Sequence, residues 1–288
     1  MNTMKKLGIA ALLLAMAFAF AGCGGSGSEG GDDEQTADKT EVKVFAAASM
    51  QSSLEELEKS FEAENPDVDI LLNCDSSGTL MTQIEEGAPC DVFFSAAQKQ
   101  MDELEEQGLV KEGTRQNVLN NQLVVITQPD SDTAVTGLEN LKDAKSIALA
   151  DGSVPVGKYT RQALINLKIL PEADDPAAIA TQEVSDALGG VEISEQGNVS
   201  KVLTAVEEGS CEVGTVYLSD TYGHEDSVKI IEKVPYEVTG DIIYPIALIN
   251  NPDGTVAEVD AAEAVLDWFT GDDAKALYQE HLFDTNVE

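Results

Sequence analysis

A repeated alternation of short apolar runs and helical stretches is the feature that most restricts how this chain can fold. Three apolar runs, VKVFAAA, VDILLN and DVFFSA, lie within residues 42–96, and a helical pattern follows each of them. These helical patterns cover residues 50–64, 78–86 and 97–107. Such an alternation predicts a mostly parallel sheet with helices on both faces.

A second series of strands and helices follows the first. The expected strands are QLVVITQ, KSIALAD, EVGTVYLS, VKIIEKV and IIYPIALIN, and the expected helices cover residues 158–168, 199–208, 256–269 and 272–281. We therefore expect an α/β protein of two lobes. Lobe 1 would comprise residues 41–122 and 240–288, and lobe 2 would comprise residues 123–239. In open α/β sheets, ligands bind beyond the carboxyl ends of the strands, close to helix N-termini.

The beginning of the chain has the features of a bacterial lipoprotein signal. Lys5 and Lys6 precede an uncharged run over residues 7–21, and Cys23 follows small residues. We expect residues 1–22 to be a signal peptide and Cys23 to carry the lipid, which would anchor an extracytoplasmic protein to the cell membrane. Plain secretion with an incidental cysteine is the alternative. Residues 23–40 have no large apolar side chain, so they should form a flexible tether.

Charge and cysteine content exclude several classes of function. The net charge is −36, and removing the signal peptide with its two lysines would lower it to −38. This charge argues against nucleic acid as a partner. Pairs of glutamates such as Glu55 and Glu56 should lie on solvated helix faces and hold no metal. We expect free thiols at Cys74, Cys90 and Cys211, and a monomeric protein.

Polar groups at the ends of the first two strands suggest an anion site. Ser49 ends the first strand and is placed to be the N-cap of the following helix. Ser77 follows the second strand in the same way, and Gly78 leaves the backbone beside it uncovered. Either serine alone would ordinarily be a cap that serves only its own helix. Two of them at adjacent strand ends would converge on one point, with hydroxyls and helix-start amides as donors.

Three positions in the second lobe could contribute further neutral donors. Val156 follows Pro155 at an expected helix start, where backbone amides have no helical partner. Val199 follows Asn198, the expected cap of another helix. Tyr217 ends a strand, and its phenol is an uncharged donor.

Several of these segments together resemble the bacterial molybdate-binding protein of the molybdate ABC transporter. The matching segments are VFAAASM, SSGTLMTQIEEGAP, DVFFSA, RQNVLNNQLVV, VPVGKYTRQAL and GTVYLSD, and the resemblance covers most of residues 42–282. It implies a type II periplasmic-binding-protein fold with hinged lobes. It also implies a tetrahedral oxyanion, molybdate or tungstate, held without cofactor or free metal ion. The implied ligand-binding residues are Ser49, Ser77, Val156, Val199 and Tyr217.

The resemblance also implies a partner, the permease of the transporter, and it has two departures. The family often has an aspartate where this chain has Ala97, and residues 171–195 form a longer connection. A binding protein for sulfate or another tetrahedral oxyanion, or an oxyanion sensor, remains an alternative. A carboxylate-binding protein would need an arginine fork, and the chain has only Arg115 and Arg161.

Catalysis is the alternative from another class, and we do not expect it. A serine hydrolase using Ser49 or Ser77 would need a histidine base, and the chain has only His224 and His281. Neither is expected beside these serines. The chain also lacks a Gly-x-Ser-x-Gly motif.

Overall fold

The computed structural model describes residues 39–252 and 254–287. The predicted signal peptide, the lipid-bearing Cys23 and the predicted tether up to residue 38 lie outside the described residues. The ten described strands are β1 (Thr40–Ala47), β2 (Val68–Asp75), β3 (Val92–Phe94), β4 (Gln116–Asn121), β5 (Leu123–Thr127), β6 (Ser146–Ala150), β7 (Glu192–Gln196), β8 (Val213–Tyr217), β9 (Lys229–Lys233) and β10 (Ile242–Leu248).

These strands form two five-stranded mixed sheets. The first sheet has the order β2-β1-β3-β10-β4, and the second has the order β7-β6-β8-β5-β9. In each sheet the first two pairings are parallel and the last two are antiparallel. The α/β fold is therefore confirmed, and each sheet is mostly parallel as predicted, because four of its five described strands run in one direction and a single strand, β10 or β5, is reversed. The sequence pattern identified eight of these strands but neither β4 nor β7, and it did not indicate which strand of each sheet is reversed.

Nine described helices flank the sheets. They are α1 (Gln51–Glu64), α2 (Ser77–Glu85), α3 (Gln98–Glu106), α4 (Pro155–Asn166), α5 (Thr181–Ala187), α6 (Val199–Glu207), α7 (Tyr236–Thr239), α8 (Val256–Thr270) and α9 (Asp272–Glu280). Helix α4 begins three residues before its predicted start because Pro155 occupies its first position, where a missing N–H costs no hydrogen bond. Within the predicted long connection, the structure forms α5 and the edge strand β7.

We call the half built on the first sheet lobe 1 and the half built on the second sheet lobe 2. The chain changes sheet between β4 and β5, which are separated only by Gln122, and again between β9 and β10. The lobe boundaries inferred from the sequence stay a prediction. The short first crossing brings the ends of β4 and β8 together, since Leu218 N–H donates to the Gln122 carbonyl.

The core follows the expected apolar faces. In α1, the side chains of Leu54, Leu57 and Phe61 are buried, as the helical spacing predicts. Pro245 in β10 has no N–H to donate, and the pairing with β4 shifts register beside it. Cys74, Cys90 and Cys211 are free thiols. Within the described ranges, no helix is long and apolar enough to cross a membrane, and no cluster of side chains could hold a metal ion.

Candidate functional site

Ser49 lies directly after β1, but it does not cap a helix as predicted. It is the middle residue of a single 3-10 turn, Ala48–Met50, and the side chain of no residue caps α1. The Ser49 side chain is instead buried, and its Oγ lies 2.9 Å from the Tyr244 hydroxyl in the same lobe. The extra turn moves the start of α1 past Ser49, which frees its hydroxyl from the helix.

Ser77 is the first residue of α2, and its neighbour Ser76 is the cap. The Ser76 hydroxyl accepts from the Thr79 N–H, so the prediction of a cap at Ser77 is wrong by one residue. Ser77 is fully buried, and its Oγ accepts from the Ala96 N–H at 2.9 Å. This bond joins the start of α2 to the segment after β3.

Val156 is the second residue of α4, so its N–H belongs to the first turn, where amides have no helical partner. The turn is packed closely against the end of β6. A β-carbon built on Gly157 would lie 2.1 Å from the Asp151 carbonyl oxygen and 2.5 Å from that of Ala150, so only glycine fits there.

Arg161 stabilises the same turn through hydrogen bonds to its backbone carbonyls, a role that the sequence did not reveal. Its guanidinium is buried and donates to the carbonyls of Ala150 and Gly157 and, farther along, to the Ile179 carbonyl and the Thr181 hydroxyl. Four of its five N–H groups are thus engaged by the protein itself. The sequence shows only that an arginine follows Val156 by five residues. Its role could not be inferred, because Ile179 and Thr181 are distant from it in sequence.

Val199 begins α6, and its predicted cap is confirmed. The Asn198 side chain accepts from the Lys201 N–H at 3.0 Å. Its amide group also donates to Asp75 Oδ1 at 2.9 Å, which joins lobe 2 to the end of β2 in lobe 1. The side chain of Val199 is buried.

Tyr217 ends β8 with its ring buried and its hydroxyl without a hydrogen-bond partner among the described residues. Burial raises the pKa of this phenol well above its ordinary value, so it remains protonated and neutral. Its backbone N–H donates to Asp220 Oδ2 at 2.8 Å. Burial raises the pKa of the Asp220 carboxyl to about 7. An unpartnered buried donor normally costs free energy, which points to a partner supplied by a ligand.

The segments that carry these five positions contact one another across the two lobes. A β-carbon built on Gly78, next to Ser77, would lie 2.8 Å from the carbonyl oxygen of Ser153, two residues before Pro155. The 3-10 turn of Ser49 packs against α6 and against the turn that follows Tyr217. All five predicted residues are therefore buried in or beside one interlobe region.

The two histidines form hydrogen bonds with side chains other than the predicted site serines, although His224 lines the same cavity as Ser49. His224 is bonded to Glu207, while His281 contacts Ser52 and Glu56 and stacks on Tyr222 with ring centroids 4.1 Å apart. Neither histidine bonds Ser49 or Ser77 in the part of the chain that the structure describes. Arg115 forms ion pairs with Asp102 and Glu105 on the surface of lobe 1.

Comparisons with known proteins agree with this architecture. A family model described as "Bacterial extracellular solute-binding protein" matches residues 42–284. The molybdate-binding protein ModA of Haemophilus influenzae is 30% identical over 245 residues, which cover 80% of this chain and 89% of the relative. YvgL of Bacillus subtilis, provisionally named an ABC transporter substrate-binding lipoprotein, is 28% identical over 280 residues, which cover 97% of this chain and 98% of the relative.

The solved structures give the same fold. The periplasmic molybdate-binding protein of Azotobacter vinelandii superposes with a TM-score of 0.68 at 23% identity, covering 84% of this chain and 98% of that chain. The resemblance predicted from the sequence is thus confirmed. From the family match over most of its length, the chain belongs to the bacterial extracellular solute-binding protein family.

Proposed function

We propose that this protein captures molybdate, and tungstate as well, and delivers the anion to the membrane permease of an ABC importer. The proposed ligand-binding groups are the hydroxyls of Ser49, Ser77 and Tyr217 and the backbone amides at Ser49, Ser77, Val156 and Val199. The buried Tyr217 hydroxyl, which has no partner among the described residues, carries the proposal. Relatives named for molybdate binding support the identity of the ligand.

The hydrogen bonds inside the protein suit these groups to donate. The Ser77 oxygen already accepts from the Ala96 N–H, so its hydroxyl hydrogen remains available for a ligand. The amides of Val156 and Val199 lie in the first turns of α4 and α6, where the helix leaves them free and its dipole favours an anion.

A site of neutral donors also explains how so acidic a protein could bind a dianion. N–H and O–H dipoles act at short range in a cleft that excludes water, while distant surface carboxylates are screened beyond about 8–10 Å at physiological salt. Neutral donors discriminate as well, because a fully deprotonated dianion accepts every bond that they offer. The larger size of molybdate and tungstate would separate them from sulfate.

The family and the sequence support a proposal for where the protein is located in the cell. We propose that Cys23, which lies outside the described residues, carries the lipid that anchors the protein at the outer face of the cell membrane. The provisional name of the Bacillus subtilis relative as a lipoprotein supports this placement. The permease is the proposed protein partner.

Calorimetry with four anions tests the proposal. The protein from residue 41 onward is titrated separately with molybdate, tungstate, sulfate and phosphate. We expect tight binding of the first two and binding weaker by at least about 100-fold for the others, which corresponds to about 2.7 kcal/mol. Tight sulfate binding with no response to molybdate would contradict the proposal and would show that sulfate is the ligand.

A further inference from the structure

We propose that Tyr244, oriented by Asn121, is a positioning residue that makes Ser49 an obligate hydrogen-bond donor and so excludes protonated oxyanions. This inference rests on the proposed function. It concerns a chain of side-chain hydrogen bonds that links the last residue of β4, a residue inside β10 and the turn after β1.

Asn121 determines which group donates and which accepts along this series of hydrogen bonds. Its Oδ1 lies 2.9 Å from the Gln122 backbone N–H, which can only donate, so this atom must be the amide oxygen. The amide nitrogen therefore faces the other way and donates to the hydroxyls of Tyr244 and Ser219, at 3.0 and 2.8 Å.

Because Tyr244 accepts from Asn121, it in turn donates to Ser49. Its oxygen accepts from Asn121, and its own hydrogen then points to Ser49 Oγ at 2.9 Å, the remaining partner of its hydroxyl among the described residues. Burial raises the pKa of Tyr244 well above the ordinary value, so this hydrogen is always present. In the reverse direction, with Ser49 donating, the buried Tyr244 hydrogen would have no acceptor.

Ser49 is left with one hydrogen and no acceptor for it within the described part of the chain. Its side chain borders a cavity between the lobes that is also lined by Ser200, Ser219 and Asp220. Tyr244 occupies one of the two acceptor positions of Ser49 Oγ. If the O–H of a ligand took the other, the Ser49 hydrogen would be left without an acceptor among the described residues, so Ser49 favours donating to the ligand. Molybdate accepts at every oxygen, whereas hydrogen arsenate or hydrogen phosphate carries an O–H that needs an acceptor.

The variant Tyr244→Phe tests the inference with calorimetry at mildly alkaline pH, where arsenate carries one proton. Without the tyrosine hydroxyl, Ser49 can rotate and accept. We expect molybdate affinity to fall about 5- to 15-fold, the usual effect of losing one oriented hydrogen bond. Arsenate should now displace molybdate more readily, so the molybdate-to-arsenate selectivity should fall more than molybdate affinity itself.

Tyr278→Phe is the matched control. Tyr278 is also fully buried in lobe 1, but its hydroxyl donates to the Phe269 carbonyl at 3.1 Å, away from the chain of bonds. This variant should keep the wild-type selectivity even if it lowers the melting temperature. A Tyr244→Phe protein with wild-type selectivity would overturn the positioning role alone. A wild-type protein that does not bind molybdate would overturn the proposed function and this inference together.

Discussion

The Asn198 amide donates to Asp75 Oδ1 at 2.9 Å, so the start of α6 in lobe 2 is bonded to the end of β2 in lobe 1. The same side chain caps α6 through its oxygen, which accepts from the Lys201 N–H. The Asn198 side-chain oxygen thus stabilises the helix, while its side-chain nitrogen joins the two lobes. These two roles can be separated by substitution.

Asn198→Asp should keep the cap and lose the contact between the lobes. An aspartate caps a helix as well as asparagine does, but its carboxylate would face that of Asp75 and the proposed anion. We expect molybdate affinity to fall at least about tenfold, because like charges at short range oppose closure. Calorimetry measures the affinity, and thermal unfolding of the ligand-free protein should change little.

Asn198→Ser is the control for this variant, since serine also caps the helix but adds no charge. Its affinity should lie between that of the wild type and that of Asn198→Asp. Equal affinities in the two variants would show that charge repulsion is unimportant here.

Tyr217→Phe should change stability and binding in opposite directions. The buried hydroxyl has no partner among the described residues, so its removal should leave the ligand-free protein as stable or raise its free energy of unfolding by up to about 1 kcal/mol. Affinity for molybdate should fall by about 10- to 150-fold, because a bond to a charged ligand is lost. Denaturant unfolding and calorimetry measure the two effects. A parallel loss of both would mean that the hydroxyl is structural.

Substitutions at Ser77 and Val156 should separate side-chain donors from backbone donors. Ser77→Ala should weaken molybdate binding by about 10- to 150-fold and also destabilise the fold, because the buried Ala96 N–H loses its acceptor. Ser77→Asp can still accept from Ala96, but it aims a fixed negative charge at the ligand and should abolish binding. Val156→Ala should bind almost normally, since only its amide is used. Calorimetry on the three variants measures their molybdate affinities. Normal binding by Ser77→Asp would contradict the proposed site.

The raised pKa of Asp220, about 7, predicts a pH-dependent stability. The unfolded chain releases this proton near its ordinary pKa, about 3.9, while the folded protein retains it up to about 7. The free energy of unfolding should therefore fall as pH rises through this window. Asp220→Asn, whose amide oxygen can still accept from the Tyr217 N–H, should lack this part of the dependence.

Melting temperatures of the wild type and of Asp220→Asn between pH 5 and pH 8 test the prediction. The melting temperature of the variant should rise relative to that of the wild type as pH rises. Melting temperatures that change with pH in parallel would exclude a raised pKa of Asp220. All other ionisable groups occur in both proteins and cancel in the difference.

The longer connection over residues 171–195 supplies a further contact between the lobes. Asp175 accepts from Lys99 of α3 at 3.0 Å, and this bond lowers the pKa of the aspartate. Both side chains are partly exposed, so Lys99→Ala should cost only about 0.2–1 kcal/mol of affinity. We expect it mainly to speed molybdate release in stopped-flow experiments, with less effect at high salt. Lys111→Ala, which removes an ion pair to Glu263 within lobe 1, should leave the release rate unchanged.

Local sequence was sufficient to predict eight of the ten described strands, the main helices and the segments that carry the five proposed ligand-binding residues, but not β4 or β7. The apolar runs and helix-start residues are local signals, and Asn198 was correctly identified as a cap on that basis. The errors at Ser49 and Ser77 are also local. A 3-10 turn and a neighbouring serine took over the capping positions, and no sequence rule separates these alternatives by one residue.

Features that join distant parts of the chain could not be predicted. Tyr244 is 195 positions from Ser49 and 123 positions from Asn121, and only the antiparallel insertion of β10 beside β4 brings them together. The partners of Arg161 are likewise set by the packing of the long connection on α4. Such contacts follow from strand order, which the alternation of strands and helices leaves open.

The close approach of Gly78 to the Ser153 carbonyl oxygen has a consequence for the rate of transport. A single methyl group at position 78 would act as a wedge that holds the lobes apart, because it would press against the Ser153 backbone. The pace of capture and release could therefore be adjusted at this position during evolution, while the chemistry that selects the anion stayed the same.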